Sequence, residues 1–349
     1  MQQGYGYNDI SIIPAPISFI RHRKGISVYD HNKKLPIFTA PMSTVVNENN
    51  FDYFNQNKIY SIIPRNISFD IRLDHMRKGQ WVAMSLEEFE SLVDSEESIA
   101  GSKICIDVAN GHMNCLYNIC ADVYENFHED YVIMVGNIAN PDTIYNIRAN
   151  YKKTNIRFIR LSIGSGSGCI TSSNTGIHYP IATLIQECKK VRDRVFPELE
   201  LVADGGIKNY SDVIKALALG ADYVMIGGLF ASAYESAATI TNKETLTEYP
   251  IILDASEEIK KELILRNKFI KSFYGMASKQ GKVDLGTKGT AEGIEKTFEV
   301  TYTLKQWIEN MEDYLRSAMS YCDTFTLEEF IGTPSLIINS TSEQLSINK

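Results

Sequence analysis

Eight short runs of apolar, largely β-branched residues recur along this 349-residue chain, and longer segments separate them. Each run holds four to six residues, which suits a strand and is too short for a typical helix. Apolar residues are continuous within the runs, as in strands whose two faces are both buried. The eight predicted strands span residues 35–40, 60–64, 81–84, 103–107, 131–135, 157–161, 199–203 and 222–226.

Segments of helical length lie between these runs, at 85–93, 114–126, 142–149, 181–195 and 211–219. The repeated alternation of strand and helix predicts an α/β protein with a closed (β/α)8 TIM barrel, in which residues 1–349 form a single domain. We expect an N-terminal extension at 1–34, a mobile flap after the last strand at about 279–300, and a frayed tail at about 335–349. The alternative is an open doubly wound sheet, which needs a glycine-rich turn where this chain has Pro41-Met42-Ser43-Thr44.

Charge and composition exclude several classes of function. Asp and Glu number 43 against 35 Lys and Arg, a formal net charge of −8, which gives no support for nucleic-acid binding. No apolar run approaches the roughly 18 residues of a membrane-spanning helix, and the first residues lack the pattern of a secretory signal. We therefore expect a cytoplasmic protein with six free thiols, whose partners are neither nucleic acid nor membrane.

Polar and small residues follow six of the predicted strands at their carboxyl ends, where the active sites of such barrels lie. These segments are Met42-Ser43, Asp107 to His112, Gly136-Asn137, Gly164 to Thr171, Asp204-Gly205-Gly206 and Gly227-Gly228. Their positions predict a catalytic or binding site at this end of the barrel.

Two glycine pairs, Gly205-Gly206 and Gly227-Gly228, follow the seventh and eighth strands. Glycine lets backbone N–H groups approach an anion closely, and the loops after these two strands are the usual phosphate site of a TIM barrel. The pairs therefore predict a phosphate-binding site. The alternative interpretation is two tight turns between strand and helix.

The segment from Ser162 to Thr171 alternates glycine with serine or isoleucine and then places Cys169 two residues before Thr171. A cysteine in so glycine-rich a loop can be exposed, and nearby donors can stabilise its thiolate. Cys169 is therefore a candidate nucleophile. The alternative is a flexible loop with an incidental thiol.

Charged residues near these loops have less specific interpretations. Asp107 ends the fourth strand, where it either orients a cofactor or caps the next helix. On the residues alone, Glu292 is interpreted as a solvated surface charge. The expected solvated lysines of the flap are Lys279, Lys282 and Lys288.

At these loops the sequence resembles the inosine monophosphate dehydrogenase/guanosine monophosphate reductase family, over roughly residues 5–330. The matching segments are Tyr7 to Ile10, Ala40-Pro41-Met42, Asp107 to Gly111, Val135-Gly136-Asn137, Gly164 to Thr171, Thr175-Gly176, Tyr179-Pro180, Asp204-Gly205-Gly206, Gly220 to Asp222, Val224 to Gly228, Phe273 to Met276 and Glu292-Gly293. Three features are closer to the reductase: Phe273-Tyr274 precedes Gly275-Met276, Leu229 follows Gly227-Gly228, and Asn174-Thr175-Gly176 precedes Tyr179-Pro180. The flap also lacks the Arg-Tyr pair with which dehydrogenases activate water. No regulatory CBS insertion separates the second and third strands, as in reductases and in some dehydrogenases.

The resemblance implies NADPH-dependent reductive deamination of GMP, or of a related purine nucleotide, to IMP, with NADH as the alternative cofactor. Cys169 would form a covalent thioimidate with the purine. Thr171 and Glu292 would pass a proton to the departing ammonia. The enzyme would be a homotetramer that binds a purine nucleoside monophosphate and a nicotinamide dinucleotide.

The resemblance also implies a set of binding residues. Substrate contacts would come from Met42, Ser167, Asp204, Gly205, Gly206, Gly227, Gly228, Gly275, Met276, Ser278 and Gly293. Cofactor contacts would come from Ser85, Asp107, Val108, Ala109, Gly136, Gly164 and Ser165. A monovalent cation such as K⁺ would be bound by the backbone carbonyls of Gly164, Gly166 and Cys169.

Two departures from the family pattern bear on these assignments. Ser172 stands where the family has an Arg after the catalytic Thr, and Gly289 stands where reductases have an Arg near the base. The identity of the purine nucleotide is therefore open. The alternative functions are NAD-dependent oxidation of IMP to XMP, nucleotide binding without catalysis, and a flavin-phosphate barrel.

Overall fold

The computed structural model describes residues 3–94, 100–127, 131–166, 168–286, 288–341 and 343–344. After β1 (Ile10–Ile12), the barrel strands are β2 (Ile37–Thr39), β3 (Ile62–Ile63), β4 (Trp81–Met84), β5 (Lys103–Ile106), β6 (Val132–Ile138), β7 (Ile156–Leu161), β8 (Glu200–Asp204) and β9 (Tyr223–Ile226). These eight form one parallel sheet in the order β2-β9-β8-β7-β6-β5-β4-β3. Tyr60, just before β3, donates its N–H to the Ile37 carbonyl at 2.9 Å and so closes the sheet on β2. The predicted TIM barrel is confirmed.

Helices follow the barrel strands and cover the outside of the sheet. They are α1 (Phe51–Gln56), α2 (Phe69–Arg77), α3 (Leu86–Asp94), α4 (Asn114–Phe127), α5 (Asp142–Asn150), α6 (Thr171–Thr175), α7 (Ile181–Val195), α8 (Tyr210–Leu219), α9 (Gly228–Ala231), α10 (Glu257–Asn267), α11 (Lys279–Asp284), α12 (Leu304–Tyr321) and α13 (Leu327–Phe330), with 3-10 turns at Tyr7–Asp9 and Arg23–Gly25. Local sequence sets their ends: Asn209 caps α8 by accepting the Asp212 N–H at 3.1 Å, and Gly220 ends it in the left-handed conformation. Within the described ranges, no helix has both the length and the apolar character to cross a bilayer.

Aromatic side chains fill the amino-terminal half of the barrel interior. Phe38 packs against Tyr60, Trp81 and Phe158 with ring centroids 5.0–5.7 Å apart. A larger apolar core lies between the outside of the sheet and the helices, so both faces of the strands are buried, as their continuous apolar runs predicted. The packed rings occupy one end of the barrel, and a cavity lies toward the carboxyl ends of the strands.

A four-stranded antiparallel sheet, which we did not predict from the sequence, follows the barrel strands. It consists of β10 (Ile240–Asn242), β11 (Glu248–Tyr249), β12 (Phe269–Phe273) and β13 (Lys296–Glu299), in the order β11-β10-β12-β13. Residues 279–300, expected as a flap, therefore contain α11 and β13. The pairing of β12 with β13 anchors both ends of this segment beside the barrel mouth.

The two ends of the described chain also pair with each other. Strand β14 (Leu336–Ile338) runs antiparallel to β1, with Ile10 opposite Ile338. We expected the tail to fray from about residue 335, but residues 336–338 form a strand. Its partner, β1, lies in the N-terminal extension, far away in sequence. Residues 345–349 of that tail lie outside the described residues.

Candidate active site

A cavity of about 400 Å³ opens at the carboxyl ends of the barrel strands. Most of the candidate residues line it together: Met42, Asp107, Val108, Ala109, Gly164, Ser165, Gly166, Cys169, Thr171, Asp204, Gly205, Gly206, Gly227, Gly228, Gly275, Met276, Glu292 and Gly293. They come from segments spread over most of the chain. The barrel closure and the second sheet bring them to one place.

Three described candidate residues do not line this cavity. Ser278 is buried and caps α11, accepting the Gly281 N–H at 3.0 Å. Ser85 precedes α3, where its hydroxyl accepts the Glu88 N–H at 3.1 Å. Gly136 lies against Arg160, which donates to its carbonyl at 3.2 Å. Ser167 lies outside the described residues.

Cys169, Thr171 and Glu292 form a continuous chain of hydrogen bonds. The Cys169 thiol donates to the Thr171 hydroxyl at 3.2 Å, and that hydroxyl donates to the Glu292 carboxylate at 2.8 Å. All three side chains are half-buried and face the cavity. The arrangement links a potential nucleophile to a carboxylate through a hydroxyl that can relay a proton.

Backbone pairing holds Glu292 beside the cysteine loop. Cys169 and Gly293 form an antiparallel bridge, the Ile170 N–H donates to the Glu292 carbonyl at 2.9 Å, and the Ile294 N–H donates to the Gly168 carbonyl at 2.8 Å. The segment that follows α11 is therefore fastened to the loop that follows β7. Sequence alone favoured a solvated surface charge for Glu292, whereas the structure places it against Thr171.

Glycine is required where the cysteine loop meets its neighbours. Gly164 has φ +76°, and a Cβ there would lie 2.5 Å from the Cβ of Ser172. Gly205 has φ +101°, and a Cβ there would lie 3.1 Å from the Gly166 nitrogen. The absence of a side chain at Gly164 lets the loop after β7 approach α6, and its absence at Gly205 lets the same loop pack on the glycine pair after β8.

The two glycine pairs expose backbone to the same cavity. Gly227 and Gly228 begin the short helix α9, and Gly206 donates its N–H to the Ser165 carbonyl at 3.0 Å. Backbone amides at glycine turns are suited to anionic oxygens. This geometry is compatible with the predicted phosphate site, and the same residues also make the tight turns of the alternative interpretation.

Arg160, which we did not single out from the sequence, lies at the centre of a charged network on the cavity wall. Its guanidinium donates to Asp107 Oδ1 at 3.0 Å and lies 3.7 Å from Asp204 Oδ2, while the Asn137 amide donates to Asp204 at 2.8 Å. Asp107 therefore pairs with Arg160 and does not cap a helix. The signal for Arg160 was available, since it is a charged residue near the end of the apolar run 157–161.

Burial and opposite charge have competing effects in this network. Burial lowers the pKa of Arg160, but Cys105, Asp107 and Asp204 more than compensate and leave it raised. Burial raises the pKa of Asp204, and Arg160 and the Asn137 amide partly oppose that rise. Burial also raises the pKa of the Cys105 thiol to about 12, which makes this barrel-interior cysteine an inert packing residue.

Two further cations line the cavity. Arg65 donates to the Asp107 carbonyl at 2.6 Å. Lys282 projects from α11, and its Nζ lies 3.3 Å from the point where a side chain at Gly289 would begin. The expectation that Lys282 belongs to a solvated face is therefore corrected, because α11 turns it toward the cavity.

The carbonyls expected to hold a monovalent cation already accept hydrogen bonds. Gly164 accepts from the Ser172 hydroxyl at 3.0 Å, and Gly166 accepts from the Cys169 N–H at 3.0 Å. Two of the three expected ligands are thus occupied by protein donors. A cation at the expected position would have to share these two carbonyl oxygens with the protein donors.

Comparison with known proteins gives a consistent result. A family model described as the IMP dehydrogenase / GMP reductase domain matches residues 82–346. A GMP reductase of Bacillus cereus (strain ATCC 10987 / NRS 248) is 27% identical over 356 residues, and the alignment covers 98% of both chains. GMP reductases of Clostridium acetobutylicum and Bacillus subtilis (strain 168) are 27% and 25% identical, with the same coverage of both chains.

Proposed function

The chain belongs to the IMP dehydrogenase/GMP reductase family, and we propose that it is a GMP reductase-like enzyme that converts GMP to IMP with NADPH. The observation that carries the proposal is the hydrogen-bonded chain from Cys169 through Thr171 to Glu292 at the mouth of the barrel. It supplies a nucleophile and a proton relay in one cavity. A nucleotide-binding protein without catalytic activity would not need these linked hydrogen bonds.

In the proposed first step, the Cys169 thiolate adds to carbon 2 of the purine. The carbon–sulfur bond forms as a proton is delivered to the exocyclic amine, and ammonia departs with the electrons of its carbon–nitrogen bond. The product is a thioimidate on Cys169. Covalent capture replaces one difficult substitution with two easier steps.

Glu292 and Thr171 would manage the proton in that step. The proton that the Cys169 thiol loses would pass through the Thr171 hydroxyl to the Glu292 carboxylate, and the carboxyl group so formed would give it to the leaving amine. The Thr171 oxygen suits this relay because it lies between the Cys169 sulfur and the Glu292 carboxylate. Backbone pairing joins the two segments that carry these side chains: Ile170 pairs with Glu292, and Cys169 pairs with Gly293.

The nicotinamide dinucleotide would supply a hydride to carbon 2, after which the thiolate leaves and IMP is released. Val108 and Ala109 offer an apolar wall beside the polar Asp107, which fits a flat aromatic amide. Gly164 and Ser165 also line the cavity. Gly136 is connected to this wall through Arg160, which donates to the Gly136 carbonyl and to Asp107. Ser85 caps α3 and does not line the cavity.

The nucleotide would lie across the rest of the cavity. Asp204 would accept hydrogen bonds from ribose hydroxyls, and Gly205, Gly227 and Gly228 would offer backbone N–H groups to the phosphate. Gly206 would line the same site, with its own N–H donated to the Ser165 carbonyl. The base would rest near Met42, Gly275, Met276 and Gly293. Ser278, which pairs with Gly293, would hold that end of the cavity in place.

The test is to mix the purified protein with GMP and NADPH and to follow the loss of reduced nicotinamide absorbance together with the release of ammonia. We expect both at equal rates. Cys169→Ala should abolish both yet still bind GMP, whereas Cys115→Ala should not change the rate, because Cys115 is an exposed thiol on α4. Turnover by Cys169→Ala, or no reaction of the parent with any purine monophosphate, would refute the proposal.

We further propose that the chain assembles as a homotetramer, as the family resemblance implies. The paired chain ends support this, because they leave large apolar side chains exposed: Ile17 is 67% exposed and Phe19 77%. The segment is anchored rather than loose, since the Phe19 N–H donates to Asp323 at 2.7 Å. Sedimentation velocity should show a tetramer, and a monomer across the working concentration range would contradict it.

A further inference from the structure

The loop that carries Cys169 has a protein hydrogen-bond donor on each described carbonyl from 163 to 166 and at 168. The pairs are Ile163 with the ring of His178 at 3.2 Å, Gly164 with the Ser172 hydroxyl at 3.0 Å, Ser165 with the Gly206 N–H at 3.0 Å, Gly166 with the Cys169 N–H at 3.0 Å and Gly168 with the Ile294 N–H at 2.8 Å. The donors come from α6, the segment between α6 and α7, the turn between β8 and α8, the segment after α11 and the loop itself.

Ser172 makes the contact that closes this loop on itself. Gly164 begins the loop, Ser172 lies in the first turn of α6, and Cys169 lies between them. The backbones approach so closely that a Cβ on Gly164 would collide with the Ser172 side chain at 2.5 Å. The hydroxyl therefore fills the narrow space between the two segments and satisfies the Gly164 carbonyl at the same time.

A monovalent cation bound by backbone carbonyls can also hold such segments together, in place of a hydroxyl. It satisfies carbonyl oxygens that lack donors, and it fixes the segments that carry them. Here the Gly164 and Gly166 carbonyls, two of the three expected cation ligands, already have donors, and the Ser172 hydroxyl occupies the space between Gly164 and α6. We infer that the cysteine loop is positioned by the protein alone, with Ser172 as the positioning residue, and that the chain works without K⁺. The part of this inference that concerns turnover rests on the proposed function.

Hydrogen exchange of the full chain tests the inference without any substrate. The peptide covering 162–172 would be followed by mass spectrometry in potassium, sodium and choline chloride at equal ionic strength. We expect its exchange rate to agree within about twofold in the three salts, because no cation adds protection to the loop. Slowing of exchange in potassium by more than about threefold would overturn the inference.

Three variants locate the effect at one hydroxyl. Ser172→Ala should speed exchange of the same peptide by about tenfold, the factor for one lost hydrogen bond, and should lower kcat with GMP more than it raises KM. Ser172→Thr keeps a hydroxyl and should restore both values. Ser173→Ala is the matched control, because the Ser173 hydroxyl donates to the Ile170 carbonyl at 2.8 Å and, within the described residues, makes no hydrogen bond with the carbonyls of residues 163–166 or 168.

The outcomes separate this inference from the proposed function. If Ser172→Ala exchanges like Ser173→Ala, Ser172 does not position the loop and the inference fails. If exchange behaves as expected but no purine nucleotide turns over, the proposed function fails and the cation-independent loop stands. If potassium raises wild-type kcat by about tenfold or more, the inference fails while the proposed function stands.

Discussion

Replacing Glu200 with Gln is expected to stabilise the protein above neutral pH and to change its stability little in acid. Glu200 is the first residue of β8 and is largely buried, and within the described residues its Oε2 atom is buried without a hydrogen-bond partner. Burial first, and then the like charges of Asp222 and Asp30, raise the pKa of Glu200 from 4.5 to about 7, against weaker opposition from two arginines. The folded protein therefore holds this proton more tightly than the unfolded chain does.

The sign and size of the effect follow from that difference in pKa. Below about pH 4.5 the carboxyl is protonated in both states and makes no pH-dependent contribution to the free energy of unfolding. As the pH rises toward about 7, the unfolded chain ionises first, so folding stability falls. Above that pH the accumulated loss is constant at about 3 kcal/mol, which the neutral Gln does not incur.

Urea unfolding at a series of pH values measures this directly, as the difference in unfolding free energy between Glu200→Gln and the parent. That difference should grow by about 3 kcal/mol between about pH 5 and about pH 8 and then level off. Glu198→Gln is the matched control, because Glu198 is two residues away and its side chain is 38% exposed beside Arg148. A difference that stays constant with pH, or that Glu198→Gln reproduces, would refute the reasoning.

Three further predictions concern the cavity. Thr171→Val, which removes the relay hydroxyl, should lower kcat with GMP by about 10²–10⁴-fold with little change in KM, as measured in steady-state assays. A rise in KM alone would contradict the relay. Arg160→Met leaves Asp107 and Asp204 without their buried counter-charge and should cost about 3–5 kcal/mol in urea unfolding, and a loss below about 1 kcal/mol would contradict that dependence. Lys282→Met should raise the KM for GMP or for NADPH by about tenfold without changing the melting temperature. Lys279→Met is the control, because Lys279 is exposed. Equal effects of both variants would show that the cavity position of Lys282 is irrelevant.

The barrel could be predicted because its strands are encoded locally. Each of the eight apolar runs identified a strand, since a strand covered on both faces needs apolar residues at consecutive positions. The four strands of the second sheet were not predicted, because no long apolar run marks them in the sequence. They are two to five residues long and only partly buried, and β12 finds its partner β13 beyond the whole segment that contains α11.

The candidate site shows the same division between local and distant information. The glycine turns and the Cys169 loop could be recognised, because those residue types are unusual at strand ends. Arg160 could have been recognised as a charge in an apolar strand. The contact of Ser172 with Gly164 and the turn of Lys282 toward the cavity could not, because both depend on the path of the backbone outside the strands.

Sequence by itself therefore determined the barrel, the end at which its chemistry lies and the kinds of groups found there, since local periodicity and unusual residues encode all three. Only the tertiary structure decided which groups meet. Thr171 and Glu292 are 121 positions apart, and their 2.8 Å contact depends on strand-like pairing between the cysteine loop and the segment after α11. Neighbouring residues in the sequence largely determine a residue's local conformation. A hydrogen bond between distant residues forms only after the intervening chain has folded and brought its two ends together.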